Sequence, residues 1–173
     1  MLATQKLASI TRRGTRPDEA LSVHRNEHSV LIAAPPGDVF PWLADSERRC
    51  RWMGALVESE PLTDGPPEQG SRYRDVFEDH GQRIELEAEL AEVDAPRRIV
   101  VELSADAFEA TIFQRLEEED GGTRLSTVIE TTYTGLAARI LSGLVTRHAQ
   151  KQLEGDLDRL KALVESERPA AGT

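Results

Sequence analysis

The stretch GLAARILSGLVTRHAQKQLEGDLDRLKALVE, residues 135–165, holds no proline and repeats apolar side chains three or four positions apart. Leu141, Val145, Ala149, Leu153, Leu157, Leu160 and Val164 fall on one stripe, which predicts a single amphipathic helix. At 1.5 Å per residue, about 30 residues make a rod of ~45 Å. Gly155 lies inside it, where glycine costs about 1 kcal/mol against alanine. The expectation is that it lets a neighbour approach closely. Leu136, Ile140 and Leu144 form a second apolar patch off the stripe, either a lip of a cavity entrance or a face buried on a short helix.

One apolar stripe needs a surface to cover, and the residues before it supply strands. Gln82 to Val93 alternates Ile84, Leu86, Ala88 and Leu90 against Glu85, Glu87 and Glu89. Arg97 to Ser104 sets Ile99, Val101 and Leu103 against Arg98 and Glu102, and Thr123 to Tyr133 repeats the pattern. Phe108 to Glu117 is closed by Asp120-Gly121-Gly122, a hairpin signal. The acidic run Glu117 to Asp120 is then a solvated hairpin. Shorter strands are expected at Ala55–Glu60 and Ser71–Glu78, and the first at Ser29–Ala33, ended by Pro35-Pro36. Val39, Phe40 and Leu43 mark a short helix, in which Pro41 is expected in the first turn. A second runs from Ser46 to Trp52 with Ser46 as N-cap. One sheet face is apolar and the other charged, as in an antiparallel sheet wet on one side. The fold class is α+β. A single helix cannot close the dry face everywhere, so a cavity is expected between sheet and helix.

Composition removes several functions. The chain has 173 residues, with 21 Lys and Arg against 31 Asp and Glu, a formal net charge of −10. Nucleic-acid binding rests on neutralising phosphates, so such a partner is not expected. Cys50 is the single cysteine, which excludes an internal disulfide and any multi-cysteine metal site and fits a cytoplasmic location. No apolar run reaches the ~18–20 residues of a membrane span. No G-x-S-x-G, G-x-x-x-x-G-K-[ST] or G-x-G-x-x-G motif is present, so no cofactor is expected. Residues 1–21 read as a flexible extension, 22–165 as one domain and 166–173 as a disordered tail.

Ala33-Ala34-Pro35, Val39-Phe40, Trp42-Leu43, and Asp45 with Trp52 stand in a familiar order. Gly70, the run Val93-Asp94-Ala95-Pro96-Arg97-Arg98-Ile99, Gly121-Gly122-Thr123-Arg124-Leu125 and the helix ending Leu153 to Glu165 complete it. Over residues 28–165 the chain resembles the polyketide cyclase/dehydrase-like branch of the START/Bet v 1 (SRPBCC) superfamily. That resemblance implies the helix-grip fold, an antiparallel sheet of about seven strands, wet on one face and wrapped around a long C-terminal helix, with two short helices after the first strand. It implies binding of hydrophobic molecules such as lipids, polyketides, hormones or quinones. It leaves open cyclase, aromatase or dehydratase chemistry, or a protein-interaction role without ligand.

Individual side chains sharpen these options. His24-Arg25-Asn26-Glu27-His28 matches H-x-x-E-H, but on a strand residues four apart lie ~13 Å apart, too far to share a zinc. A solvated strand beginning is the expectation there, with no metal. Tyr73, Asp75 and Phe77 share one strand face, and Arg72, Arg74 and Val76 the other. If the first set turns inward, Asp75 is a buried carboxylate that needs a partner or carries a raised pKa. If the second does, an arginine enters the cavity. Two aromatics favour the first. Asp75, Tyr73 and His148 are the acid–base candidates. The candidate wall is Trp52, Leu56, Tyr73, Asp75, Phe77, Leu86, Val101, Ile112, Gln114, Thr127, Ile129, Val145, His148 and Ala149. Gln114 and Thr127 enter it because they keep phase with apolar neighbours. Trp42 is expected to pack structurally. Cys50, flanked by Arg48, Arg49 and Arg51, would have a lowered pKa if exposed. The partner expected from all this is a hydrophobic small molecule.

Overall fold

In the computed structural model, alternation becomes sheet wherever a charged face can stay wet. The structure describes residues 23–79, 81–106, 108–133 and 137–167, and only the helical backbone of 137–146. The elements are β1 (Val23–Ile32), α1 (Pro36–Ala44), α2 (Ser46–Trp52), β2 (Leu56–Pro61), β3 (Arg72–Asp79), β4 (Gln82–Asp94), β5 (Arg98–Ser104), β6 (Phe108–Glu119), β7 (Gly122–Tyr133) and α3 (Ala137–Glu167). The seven strands form one sheet in the order β1-β7-β6-β5-β4-β3-β2, with every pair antiparallel. A register shift between Leu90 and Glu92 interrupts the β4–β5 ladder, and such bulges bend a sheet. Asp120 and Gly121 both take positive φ (51° and 77°) in the two-residue turn between β6 and β7, the geometry that suits the twist of a tight hairpin.

The outer face is held by exposed ion pairs such as Arg72–Glu87, Arg74–Glu60 and Arg83–Glu78. The inner face carries the core: Ile32, Leu90, Ile99 and Leu125 on the sheet, Val39 and Leu43 on α1, Leu157 and Leu160 on α3. α3 spans 31 residues, ~47 Å, and packs chiefly on β1 at one side of the sheet. Asn26 donates to Gln150 Oε1 (3.2 Å), and Gln150 donates to the Glu27 carbonyl (3.0 Å). The inner face of β4–β7 is therefore left partly uncovered by helix.

Several local expectations change. β1 begins at Val23, six residues before the expected strand, so the His24–His28 string is paired with β7 along its length. Its inner side is not solvated: Asn26 is buried, and His24 meets the Tyr133 ring edge-on at 5.5 Å. Pro41 stands in the interior of α1, beyond the first turn. It removes one hydrogen bond from this nine-residue helix, which survives because Val39, Phe40, Trp42, Leu43 and Ala44 are all buried. The cap of α2 is Asp45, not Ser46, since its carboxylate accepts from the Arg48 N–H at 2.9 Å. Gly155 is exposed, and nothing lies within 4 Å of where its Cβ would stand, so it serves no close approach. α3 continues through Ser166 and Glu167, and Arg51 pairs with Glu167. Residues 1–22 and 168–173 lie outside the described residues, as do Leu136 and the side chains of Ile140 and Leu144. No helix among the described residues is long and apolar enough to cross a membrane.

Candidate functional site

The uncovered part of the inner face is a cavity of about 550 Å³. Strands β3 to β7 form its floor and Ala149, Gln152, Leu153, Asp156 and Leu157 of α3 one wall. Leu43, Trp52 and Met53 close another side, from α1 and α2. Most of the lining is apolar. Gln82 and Ile84 are exposed at the start of β4, which places the mouth beside the β3–β4 hairpin.

The register of β3 turns Tyr73, Asp75 and Phe77 inward, and Arg72 and Arg74 outward onto glutamates. Asp75 is fully buried, with 0% exposure, and the partner it requires is Arg49 of α2, only 4% exposed. Arg49 Nη1 donates to Asp75 Oδ2 at 3.0 Å and Nη2 to Oδ1 at 3.1 Å, a fork-to-fork pair. The Ser59 hydroxyl adds a 2.6 Å bond to Oδ1, and the guanidinium lies over the Tyr73 ring at 4.8 Å. Both carboxylate oxygens are thus engaged. Sequence reasoning missed Arg49, treating it only as a neighbour of Cys50. The available signal was its place three residues before Trp52 on one short helix, so that both sit on the same face.

Trp52, Asp75, Phe77, Val101, Ile112, Gln114, Thr127, Ile129 and Ala149 of the expected wall line the cavity. Leu56, Tyr73 and Leu86 do not. They are buried on the same sheet face, but Tyr73 and Leu86 belong to the packed core, and Leu56 sits on β2 where α2 packs. His148 is also outside. It is exposed on α3, and its Nε2 reaches the end of β3, 2.8 Å from Asp79 Oδ2. Each helical residue turns the chain by about 100°, which carries His148 off the face Ala149 presents. The Val145 side chain lies outside the described residues.

A second carboxylate, which the sequence reading did not single out, faces the cavity. Asp156 is buried on α3, and its Oδ1 accepts from Gly54 N–H (2.8 Å) and Arg159 Nη1 (3.0 Å). Burial pushes its carboxyl above the usual aspartate range, against the Gly54 and Arg159 contacts. Gly54 permits this approach, since a Cβ there would stand 2.8 Å from Arg159 Nη1. The Trp52 indole N–H donates to the Trp42 carbonyl (2.8 Å), fixing the ring against the cavity. Trp42 is buried under Arg51 (4.9 Å) and Arg48 (5.4 Å) and does not reach the cavity. Cys50 is half-buried. Burial raises its pKa, and Arg49 offsets this only in part, contrary to the lowered value expected of an exposed thiol.

A seven-stranded antiparallel sheet, a long C-terminal helix and an apolar cavity between them define a Bet v 1-like protein. The chain matches the family model "Polyketide cyclase / dehydrase and lipid transport" over residues 23–165, and it belongs to that family. Solved structures agree on the fold. TTHA0849 from Thermus thermophilus superposes with a TM-score of 0.72 at 21% identity, covering 84% of this chain and 99% of that one. Ara h 8.0201 gives 0.67 at 17% identity, covering 84% of this chain and 100% of that one. CV1439 from Chromobacterium violaceum gives 0.66 at 18% identity, covering 82% and 97%. No curated protein matches the chain.

Proposed function

We propose that this protein binds a hydrophobic or amphipathic small molecule, of lipid or polyketide type, in the cavity between sheet and α3. The observation that carries this reading is the unfilled space itself. Protein interiors rarely leave voids larger than a water molecule, and 550 Å³ falls within the roughly 300–1,000 Å³ typical of small-molecule sites. The predominantly apolar lining gives affinity by removing ligand surface from water, at about 25 cal/mol per Å². Family membership supports the same class of ligand.

Cyclase or dehydratase chemistry draws less support. Asp75 has both oxygens occupied, Tyr73 does not line the cavity, and His148 is outside the lining, held against Asp79. An interaction module without ligand would call for a cavity filled by side chains.

The test uses Trp52 as reporter. In a Trp42→Phe variant, 1-aminoanthracene (a neutral apolar fluorophore) should quench Trp52 saturably with one-site behaviour. At about −0.3 kcal/mol per atom, its roughly 15 heavy atoms give about −4.5 kcal/mol, so a Kd of roughly 0.5 mM is the weak limit. Adding Ala149→Phe, which fills the cavity wall, should weaken binding at least about tenfold without lowering the melting temperature. A folded protein with no saturable quenching would refute the reading.

A further inference from the structure

Gln114 of β6 and Thr127 of β7 are direct cross-strand partners on the inner face, and both line the cavity. They are 5% and 2% exposed. Thr127 Oγ1 is enclosed and has no hydrogen-bond partner. The Gln114 side chain makes no hydrogen bond to the described residues. Directly opposed side chains on a sheet stand about 5 Å apart at Cβ, so the two polar groups form one patch in an apolar wall. Buried polar groups nearly always have a partner, because leaving one unmade forfeits its hydration without return. Thr127 Oγ1 is shut off from the cavity as well, so it is the Gln114 amide beside it, not enclosed in this way, that stands open to a ligand atom.

The charges around the cavity narrow the chemistry of that atom. Among the described lining residues, Arg49 is the one cation, and both its Nη atoms are bound to Asp75 and Ser59. Its Nε is enclosed without a partner. Two carboxylates, Asp75 and Asp156, also line the space. An anionic head group would meet these with no open cation among the described lining residues, and taking a charge out of water unpaired is costly.

We infer that the buried end of the ligand is an uncharged hydrogen-bonding group, a hydroxyl or carbonyl oxygen, received by the Gln114 amide beside Thr127. The inference rests on the cavity being the ligand site and adds which class of ligand it selects. A glutamine amide can donate to either oxygen type and accept from a hydroxyl. Fatty-acid-like carboxylates are selected against, and neutral alcohols, phenols and ketones selected for.

Isothermal titration of the full chain with naphthalene, 2-naphthol and 2-naphthoate at neutral pH holds the ring constant and changes only the head. The expected order is 2-naphthol tightest, by about tenfold over naphthalene, the ratio one well-made buried hydrogen bond provides. 2-Naphthoate should be weakest. Gln114→Leu should erase the preference, bringing 2-naphthol and naphthalene to equal affinity, and its circular dichroism and melting temperature report that the variant is folded. 2-Naphthoate binding tightest, 2-naphthol no better than naphthalene, or a 2-naphthol preference that survives Gln114→Leu would each overturn this inference and leave the cavity reading standing. Failure of all three compounds to bind would overturn both.

Discussion

Replacing Asp75 by Asn leaves the Arg49 guanidinium buried against a neutral amide. The native pair is about as closed as ion pairs become: side-chain exposures are 5% for Arg49 and 0% for Asp75, with two guanidinium–carboxylate contacts and a Ser59 bond. Removing one partner of such a pair typically costs about 3–5 kcal/mol, because the remaining charge has lost both water and counter-charge. For a chain of 173 residues, at roughly 2–4 °C per kcal/mol, the melting temperature should fall by about 6–20 °C. Arg49→Met should cost a similar amount, since it strands the carboxylate. The double variant Arg49→Met/Asp75→Asn retains no buried charge and should lie within about 3 kcal/mol of the wild type, a coupling energy of about 3 kcal/mol or more. Urea unfolding followed by circular dichroism, with the m-value held constant across the four proteins, measures all the terms. Single losses below about 1 kcal/mol that simply add in the double variant would refute the argument. They would mean that the pair behaves like a surface salt bridge screened by water in the cavity.

Two further outcomes follow from specific contacts. Gly122→Ala would put a Cβ 2.3 Å from the Ile32 carbonyl oxygen, backbone that cannot swing aside, so β1 must separate locally from β7. The expected loss is about 1–3 kcal/mol in chemical denaturation, and a neutral result would show that the β1–β7 register has slack. Asp156 binds its proton more tightly in the folded chain than in the unfolded one, whose value is near 3.8. Its stabilising contribution is therefore complete below pH ~4 and is lost as pH rises through the raised native value. Unfolding free energies of wild type and Asp156→Asn from pH 4 to 7 should show the variant gaining on the wild type as pH rises. A difference that is flat, or of opposite slope, would contradict the assignment.

The sequence alone determined the alternating strands, the two short helices and the long helix, because periods of 2 and of three to four are local consequences of backbone geometry. Leu86, Ala88 and Leu90 turn inward as their spacing requires, and so do Gln114 and Thr127. Period reports which face a side chain occupies and stops there. Tyr73 and Asp75 share one face, yet Tyr73 is packed under Arg49 while Asp75 borders the cavity. What separates them is where α2 lands, a fact no strand pattern contains. The two carboxylate sites show the same limit. Arg49 reaches Asp75 across 26 positions, and Asp156 reaches Gly54 across 102. His148 and Ala149 are neighbours in the chain, but only packing on β1 settles how α3 is rotated, leaving Ala149 at the cavity and His148 outside. Tertiary structure alone decided the location and size of the cavity and the state of each polar group around it, because these depend on which surfaces one helix leaves uncovered.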